Sequence, residues 1–317
     1  MVHALRATQP IVSNWDNVPV SNSSASIPPV GLLFDVDGPI ASPVTRTIAI
    51  PSILSDLVSL TAAGVPIAFI TGRSDAFIRD TVIAPLLEVG LADALRVPGA
   101  RMFGVYEKGA TWSAISPDGL GEVEVDASVA PPAEFVDAIR DLVTEHYADV
   151  MFFDDTKRGM VSVEQRTDIS AEEYEANRHD FDRAAYDIAV SMGLGIAHGS
   201  EVSPDSRGNV DFRVDPTIIS TDIESVLLDK NRGARRALDD FRARGPLPTL
   251  WRSIGDSRSD YLMADELHDQ GFDVAHVDVR PADGIPDKPY RVIVEGDLIH
   301  DESGAAFLRY WVDKLGA

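Results

Sequence analysis

The sequence contains no cysteine. Disulfides, thiolate metal sites and cysteine nucleophiles are therefore excluded. Lysine is scarce as well: Lys108, Lys157, Lys230, Lys288 and Lys314 are all there are. Positive charge as a whole is short, with 28 Lys and Arg against 51 Asp and Glu and a net charge of −23. Such a chain repels nucleic acid and anionic membranes, so neither is an expected partner. A phosphate ligand stays open, because a site is local and can be cationic inside an acidic protein. No hydrophobic run reaches the ~20 residues of a membrane span. The N-terminus has no basic stretch leading into an apolar core, so no secretory signal is read and the expected compartment is the cytoplasm. What is present is 317 residues, 44% of them hydrophobic, enough for a large core in one or two domains. The oligomeric state has no signature in the sequence.

The chain is organised around Gly31-Leu-Leu-Phe-Asp-Val-Asp-Gly-Pro39. Gly31 to Phe34 has the continuous apolar character of a strand buried on both faces of a parallel sheet. Ligands of open α/β sheets bind beyond the carboxyl ends of the strands, where Asp35 and Asp37 fall. Residues i and i+2 of an extended chain share a face, so both carboxylates can address one ligand. Two close carboxylates repel and call for a divalent cation or a shared proton. An Asx-rich turn after a strand is the plain alternative.

Residues 1–27 read as a loose N-terminal extension. Pro51 to Ala63 fits an amphipathic helix ended by Gly64, and Val65 to Ile70 a second buried strand running into Thr71-Gly-Arg-Ser74. Thr71 can offer a hydroxyl to an anion, and Gly72 close backbone approach at a helix N-terminus. A helix over 75–90, a strand at Met102–Tyr106 and a hairpin arm at Thr111–Ile115 follow. This alternation predicts an α/β fold with a Rossmann-like parallel sheet. Its first part is expected over 28–118. Residues 119–225 break the alternation with helices at 132–147 and 171–192 and hairpin-like strands at 150–154 and 159–165, as expected of an inserted α+β domain. The pattern resumes over 226–317: Leu228-Asp-Lys230 leads into a helix over Asn231–Ala243, and the strand Thr249–Ile254 ends in Gly255-Asp-Ser-Arg-Ser-Asp260. His146, His179 and His198 lack metal-ligand spacing, and Arg232, Arg235 and Arg236 read as a solvated helix face.

Carboxylates, a hydroxyl and an ammonium thus recur at the ends of core strands, the set phosphoryl transfer needs. In this order the motifs resemble the haloacid dehalogenase superfamily of phosphohydrolases: Phe34-Asp-Val-Asp-Gly38 its first motif, Ile70-Thr-Gly-Arg73 its second, Lys230 its third and Gly255-Asp-x-x-x-Asp260 its fourth. Pro39 stands where threonine is usual, and Lys230-Asn-Arg-Gly233 where the usual pair is Lys-Gly. The insert between the second and third motifs resembles the type-two cap of the Cof-like, sucrose-phosphatase and trehalose-phosphate-phosphatase branches, and Tyr106-Glu-Lys-Gly-Ala110 the element before such caps. The resemblance implies a Mg²⁺-dependent phosphomonoesterase acting on a small phosphorylated metabolite such as a sugar phosphate. It implies Asp35 as nucleophile, Asp37 as general acid and base, and Thr71, Gly72 and Lys230 as phosphate ligands. The metal would be held by Asp35, the carbonyl of Asp37 and Asp256, with Asp260 ligating it or supporting its shell. Lys157-Arg-Gly-Met-Val-Ser-Val-Glu-Gln-Arg166 faintly resembles the cap strand of the trehalose-phosphate phosphatases. Lys157, Glu164 and Arg166 are accordingly candidates for substrate contact. A phosphomutase or phosphotransferase, or a retired enzyme that binds phosphorylated ligands, are the alternative functions.

Overall fold

Apolar strands that alternate between two helical layers build the first sheet. The structure, a computed structural model, describes residues 27–317. The N-terminal extension expected over 1–27 lies, apart from Ile27, outside the described residues. β1 (Gly31–Phe34) is wholly buried. Leu32 and Phe34 face the layer of α1 (Pro51–Ala62), while Leu33 joins the cluster on the opposite face. β2 (Ile67–Ile70) splits in the same way, with Ile67 and Phe69 on one side and Ala68 and Ile70 on the other. Period-two alternation with both sides apolar is what a sheet covered on both faces requires.

The helix expected over 75–90 is broken into α2 (Asp75–Ile78), a wide π-type turn and α3 (Ala84–Glu88). Pro85 explains the break. It has no N–H for the carbonyl of Thr81, and its ring crowds that carbonyl, so the preceding turn widens. After α4 (Leu91–Ala94) come β3 (Met102–Tyr106) and β4 (Thr111–Ser116), paired antiparallel, with the short β5 (Gly119–Leu120) and β6 (Glu124–Val125) beside β4.

α5 (Ala133–Leu142), β7 (Met151–Phe153), β8 (Val161–Gln165), α6 (Ala171–Ser191), β9 (Ile196–His198), β10 (Glu201–Ser203), β11 (Phe212–Pro216) and β12 (Ser220–Ser225) form a separate unit. Its sheet runs β10-β9-β11-β12-β8-β7, and its own core packs Phe135 and Ile139 of α5 and Phe181 and Ala185 of α6 against Val161, Val163 and Ile223. The sequence gives no strand signal at β12, Ser-Thr-Asp-Ile-Glu-Ser, yet all of its residues are buried. Its polar side chains find partners: Thr221 donates to Asp182 at 2.5 Å, and Asp222 accepts from Ser162 at 2.7 Å. Partnered polar groups can fill a buried strand that hydropathy does not mark.

The chain then returns to the first sheet through α7 (Lys230–Arg244), β13 (Leu250–Gly255), α8 (Tyr261–Asp269), β14 (Asp273–Asp278), β15 (Arg291–Ile293) and α9 (His300–Leu315). The order β15-β14-β13-β1-β2-β3-β4-β5 is parallel from β15 to β3. β1 and β13 lie side by side although residues 35–249 separate them, so both their carboxyl ends open at one place.

α9 fixes the loop that leaves this place. A Cβ on Gly304 would stand 1.9 Å from the carbonyl oxygen of Pro39, backbone on both sides. Gly304→Ala should therefore destabilise the protein by about 1–3 kcal/mol through overpacking. Urea denaturation reads this as a lowered midpoint with an unchanged slope; an unchanged midpoint would contradict the packing described.

Candidate active site

Three motifs far apart in sequence meet in one buried charge cluster. Lys230, the first residue of α7, donates to Asp35 Oδ1 at 2.6 Å and to the carbonyl of Ile70 at 2.7 Å, and its Nζ stands 2.8 Å from Asp260 Oδ1. All three charged residues are buried. Burial alone favours a neutral amine, but Asp260 and Asp35 outweigh it and hold the ammonium above its usual value. Asp260 is held below the ordinary carboxylate range: Lys230 and the bonds from Ser257 overcome its burial. Asp35 goes the other way. Burial and the charge of Asp260 raise it well above the usual range despite Lys230.

The donor set suits a hard divalent cation. Asp35, Asp256 and Asp260 can each bring one oxygen within 4.8 Å of the others. Burial, then Asp260, push Asp256 up to about 6. Carboxylates kept from ionising by one another are relieved by a cation. Asp260 is turned toward the protein: its Oδ2 accepts from the Asp256 and Ser257 amides at 3.1 and 2.8 Å and from Ser257 Oγ at 2.8 Å. It orients the loop that carries Asp256, as a residue supporting a coordination shell does. Gly38 keeps the opposite wall close. It has φ +99°, and a Cβ there would meet Asp256 Cβ at 2.9 Å.

Thr71 is buried at the end of β2, where its Oγ1 accepts from the Arg73 amide at 3.0 Å. Asp37 stands two residues beyond Asp35 but is gripped by Arg73. Nε reaches Oδ2 and Nη2 reaches Oδ1, both at 3.0 Å. Arg73 was visible in the second motif, yet the sequence reading gave it no role.

The cap-side candidates divide. Lys157 Nζ donates to the carbonyl of Gly72 at 2.5 Å, and Glu164 stands 4.0 Å from Arg73; both line the cavity above Asp35. Arg166 does not. It is turned to the surface, donating to Asp168 at 3.0 Å and to the carbonyl of Ala148 at 3.1 Å. β8 ends at Gln165, so the two-residue alternation that sends Glu164 inward is lost by Arg166.

Two consecutive residues of the Tyr106-to-Ala110 element, given no individual role from the sequence, join core and cap. Glu107 and Lys108 follow β3 with φ of 49° and 54°. That left-handed backbone is costly for side chains with a Cβ. Glu107 is fully buried and accepts from the cap amides of Arg158 and Gly159 at 3.0 and 2.7 Å. Lys108 enters the cap sheet, with Nζ 2.9 Å from Asp215, 3.3 Å from Asp222 and 3.0 Å from Glu224. Burial opposes its charge, but Asp222, Glu224 and Asp215 hold it above its ordinary value. Glu224 is raised to about 7 by its own burial, against the pull of Lys108. The arginines of α7 also depart from a solvated face. Arg232 and Arg236 both pair with Asp126, and Arg236 lies 3.6 Å over the ring of Trp112. Of Arg232, Arg235 and Arg236, Arg235 is the one that is mostly exposed, paired with Glu266 at 2.7 Å.

These groups enclose a cavity of about 220 Å³, with Asp35, Asp37, Thr71 and Lys230 below and Glu164 and Asp222 above. No helix of the described residues is long and apolar enough to cross a membrane.

No family model matches the chain, and no curated protein matches it significantly. Solved structures do. The C-terminal domain of a trehalose-6-phosphate phosphatase from C. albicans aligns over 91% of this chain and 92% of its own, at 12% identity and a TM-score of 0.57. A haloacid dehalogenase-like hydrolase from Bacteroides thetaiotaomicron aligns over 88% and 98%, at 12% identity and 0.53. A trehalose-6-phosphate phosphatase related protein aligns over 90% and 98%, at 13% identity and 0.51. The chain shares the fold of these three proteins, one of them a haloacid dehalogenase-like hydrolase.

Asp256 supplies a test of the cluster's electrostatics. An unfolded Asp titrates near 3.9, so a folded value of about 6 means that the native state binds the proton more tightly. That contribution to stability is present at low pH and is lost as the pH rises through the folded value. In EDTA, Asp256→Asn should be more stable than wild type by about 1–2 kcal/mol near neutral pH, with the gap closing near pH 4. Urea denaturation across this range reads it; a gap independent of pH would contradict it.

Proposed function

We propose that the protein is a Mg²⁺-dependent phosphomonoesterase that works through a phosphoaspartate on Asp35. The observation that carries this is the convergence of Lys230, Asp35, Asp256 and Asp260 with Thr71 at the carboxyl ends of β1, β2 and β13. A nucleophilic carboxylate must be charged, and burial works against that. Lys230 favours the charged form of Asp35 and holds it beneath the cavity.

Asp35, the backbone carbonyl of Asp37 and Asp256 would hold the magnesium ion, with Asp260 supporting them. When bound, it neutralises charge on Asp35 and on the phosphoryl oxygens. Thr71 and the backbone at Gly72 would hold the phosphoryl group together with Lys230. An Asp35 oxygen attacks phosphorus, the bond from phosphorus to the ester oxygen breaks, and Asp37 gives that oxygen its proton. Water then attacks phosphorus and gives its proton back to Asp37. The bond from phosphorus to Asp35 breaks, and inorganic phosphate leaves with the enzyme restored.

The cap wall supports a hydroxylated leaving group. Ser162, Glu164, Ser220 and Asp222 all line the cavity, and carboxylates with hydroxyls recognise sugar hydroxyls by hydrogen bonding. Two of the similar structures bear the name of trehalose-6-phosphate phosphatase or of a relative of it. Both observations support a sugar phosphate as the proposed substrate class.

Hydrolysis of p-nitrophenyl phosphate tests the reading. Turnover should require Mg²⁺, stop in EDTA, and fall by about 10³-fold or more in Asp35→Asn. Turnover that survives Asp35→Asn would overturn the nucleophile, and turnover that survives EDTA would overturn the metal.

A further inference from the structure

Asp37 cannot do its work as it stands. In a bidentate pair with a guanidinium a carboxylate only accepts hydrogen bonds, and an acceptor has no proton to give. Arg73 occupies both oxygens of Asp37, and its own side chain is largely buried. A general acid has to be free of such a partner when the ester bond breaks.

The structure provides somewhere for Arg73 to go. Its Nη1 already lies 4.0 Å from Glu164 Oε1 on the cap strand β8, and its guanidinium lies 4.8 Å from the ring centre of Phe77. Beyond Arg73 and Glu164 is a second cavity of about 380 Å³, with Phe77, Asp80 and Asp154 in its walls. It shares Arg73 and Glu164 with the cavity above Asp35. The space next to Arg73 is thus large enough for a guanidinium and offers it carboxylates and a ring face.

Resting on the phosphomonoesterase reading, we propose that Arg73 is a positioning residue that occupies Asp37 until Glu164 of the cap draws it away. The core supplies Asp37 and Arg73, and the cap supplies Glu164. The cap therefore governs when the acid is released, as well as what the cavity accepts. Arg73 takes no part in the bond changes.

Two aryl esters of nearly equal shape test this. Phenol is a far more basic leaving group than p-nitrophenol, so phenyl phosphate depends on the general acid much more strongly. Steady-state kinetics are measured with Mg²⁺ for wild type, Glu164→Gln, Arg73→Met and the double variant. Glu164→Gln leaves Arg73 on Asp37. Its kcat on phenyl phosphate should fall about tenfold or more, with KM within about twofold and a smaller loss on p-nitrophenyl phosphate. The double variant should recover to within about threefold of Arg73→Met, because no guanidinium is left to withdraw. A Glu164→Gln defect confined to KM, or a double variant no faster than Glu164→Gln, would overturn the relay while leaving the phosphatase intact. A wild type that cleaves neither ester would overturn the phosphatase reading and the relay with it.

Discussion

One ammonium holds the centre of this molecule together. Lys230 is buried between Asp35 and Asp260 and touches both. Without it, two carboxylates from opposite ends of the chain would sit close together out of water, an arrangement that costs several kcal/mol per unpaired charge. With it, the end of β1, the start of α7 and the loop after β13 are fixed relative to one another. The carbonyl of Ile70 ties the end of β2 into the same point. The cluster is not neutral, however. One lysine faces Asp35, Asp260 and the nearby Asp256, and burial, reinforced by the excess negative charge, keeps Asp35 and Asp256 raised. Structural order comes from the lysine, and the residual imbalance is what suits the site to a divalent cation.

A second set of ion pairs sets the roof over this floor. Glu107 and Lys108 are adjacent in the chain yet grip different parts of the cap, the β7–β8 loop and the sheet at β11 and β12. Alternation of this kind needs the backbone to turn sharply between them, and the two left-handed residues supply the turn. Lys157 reaches down from the cap to the carbonyl of Gly72, so the loop carrying Thr71 is held from above and below. The cavity is consequently bounded by groups that already have partners within the protein. Lys230 and Arg73 stand apart in kind: each holds a carboxylate that has to act, Asp35 and Asp37.

The core was largely legible because its chemistry and its hydropathy agree. Runs such as Leu32 to Phe34 and Ile67 to Ile70 are apolar throughout because both faces are covered, and polar residues begin where the strands end. Lys230 could be placed although its motif departs from the family pattern, because it stands at the start of a core helix in order with the other motifs. The cap was legible in its helices and in β7 and β8, but not in β12. That strand has a single large apolar residue, Ile223, and is buried through hydrogen bonds and ion pairs that no periodicity records. The same blindness hid Lys108 and the Arg73–Asp37 pair, because both depend on partners about 36 to 116 residues away. Arg166 erred in the opposite sense: it was a candidate through the resemblance of Lys157 to Arg166 to a cap strand, although the expected strand, like β8, ends at Gln165.

The central claim is that Asp35 bonds covalently to phosphorus. The direct measurement is to quench the protein with acid during turnover of p-nitrophenyl phosphate with Mg²⁺, reduce with borohydride, and map the modified residue by mass spectrometry. The account predicts conversion of Asp35 alone, dependent on both substrate and metal ion, because borohydride reduces an acyl phosphate and leaves free carboxylates untouched. Turnover with no modified carboxylate, or with modification at Asp37 or Asp256 in place of Asp35, would contradict it.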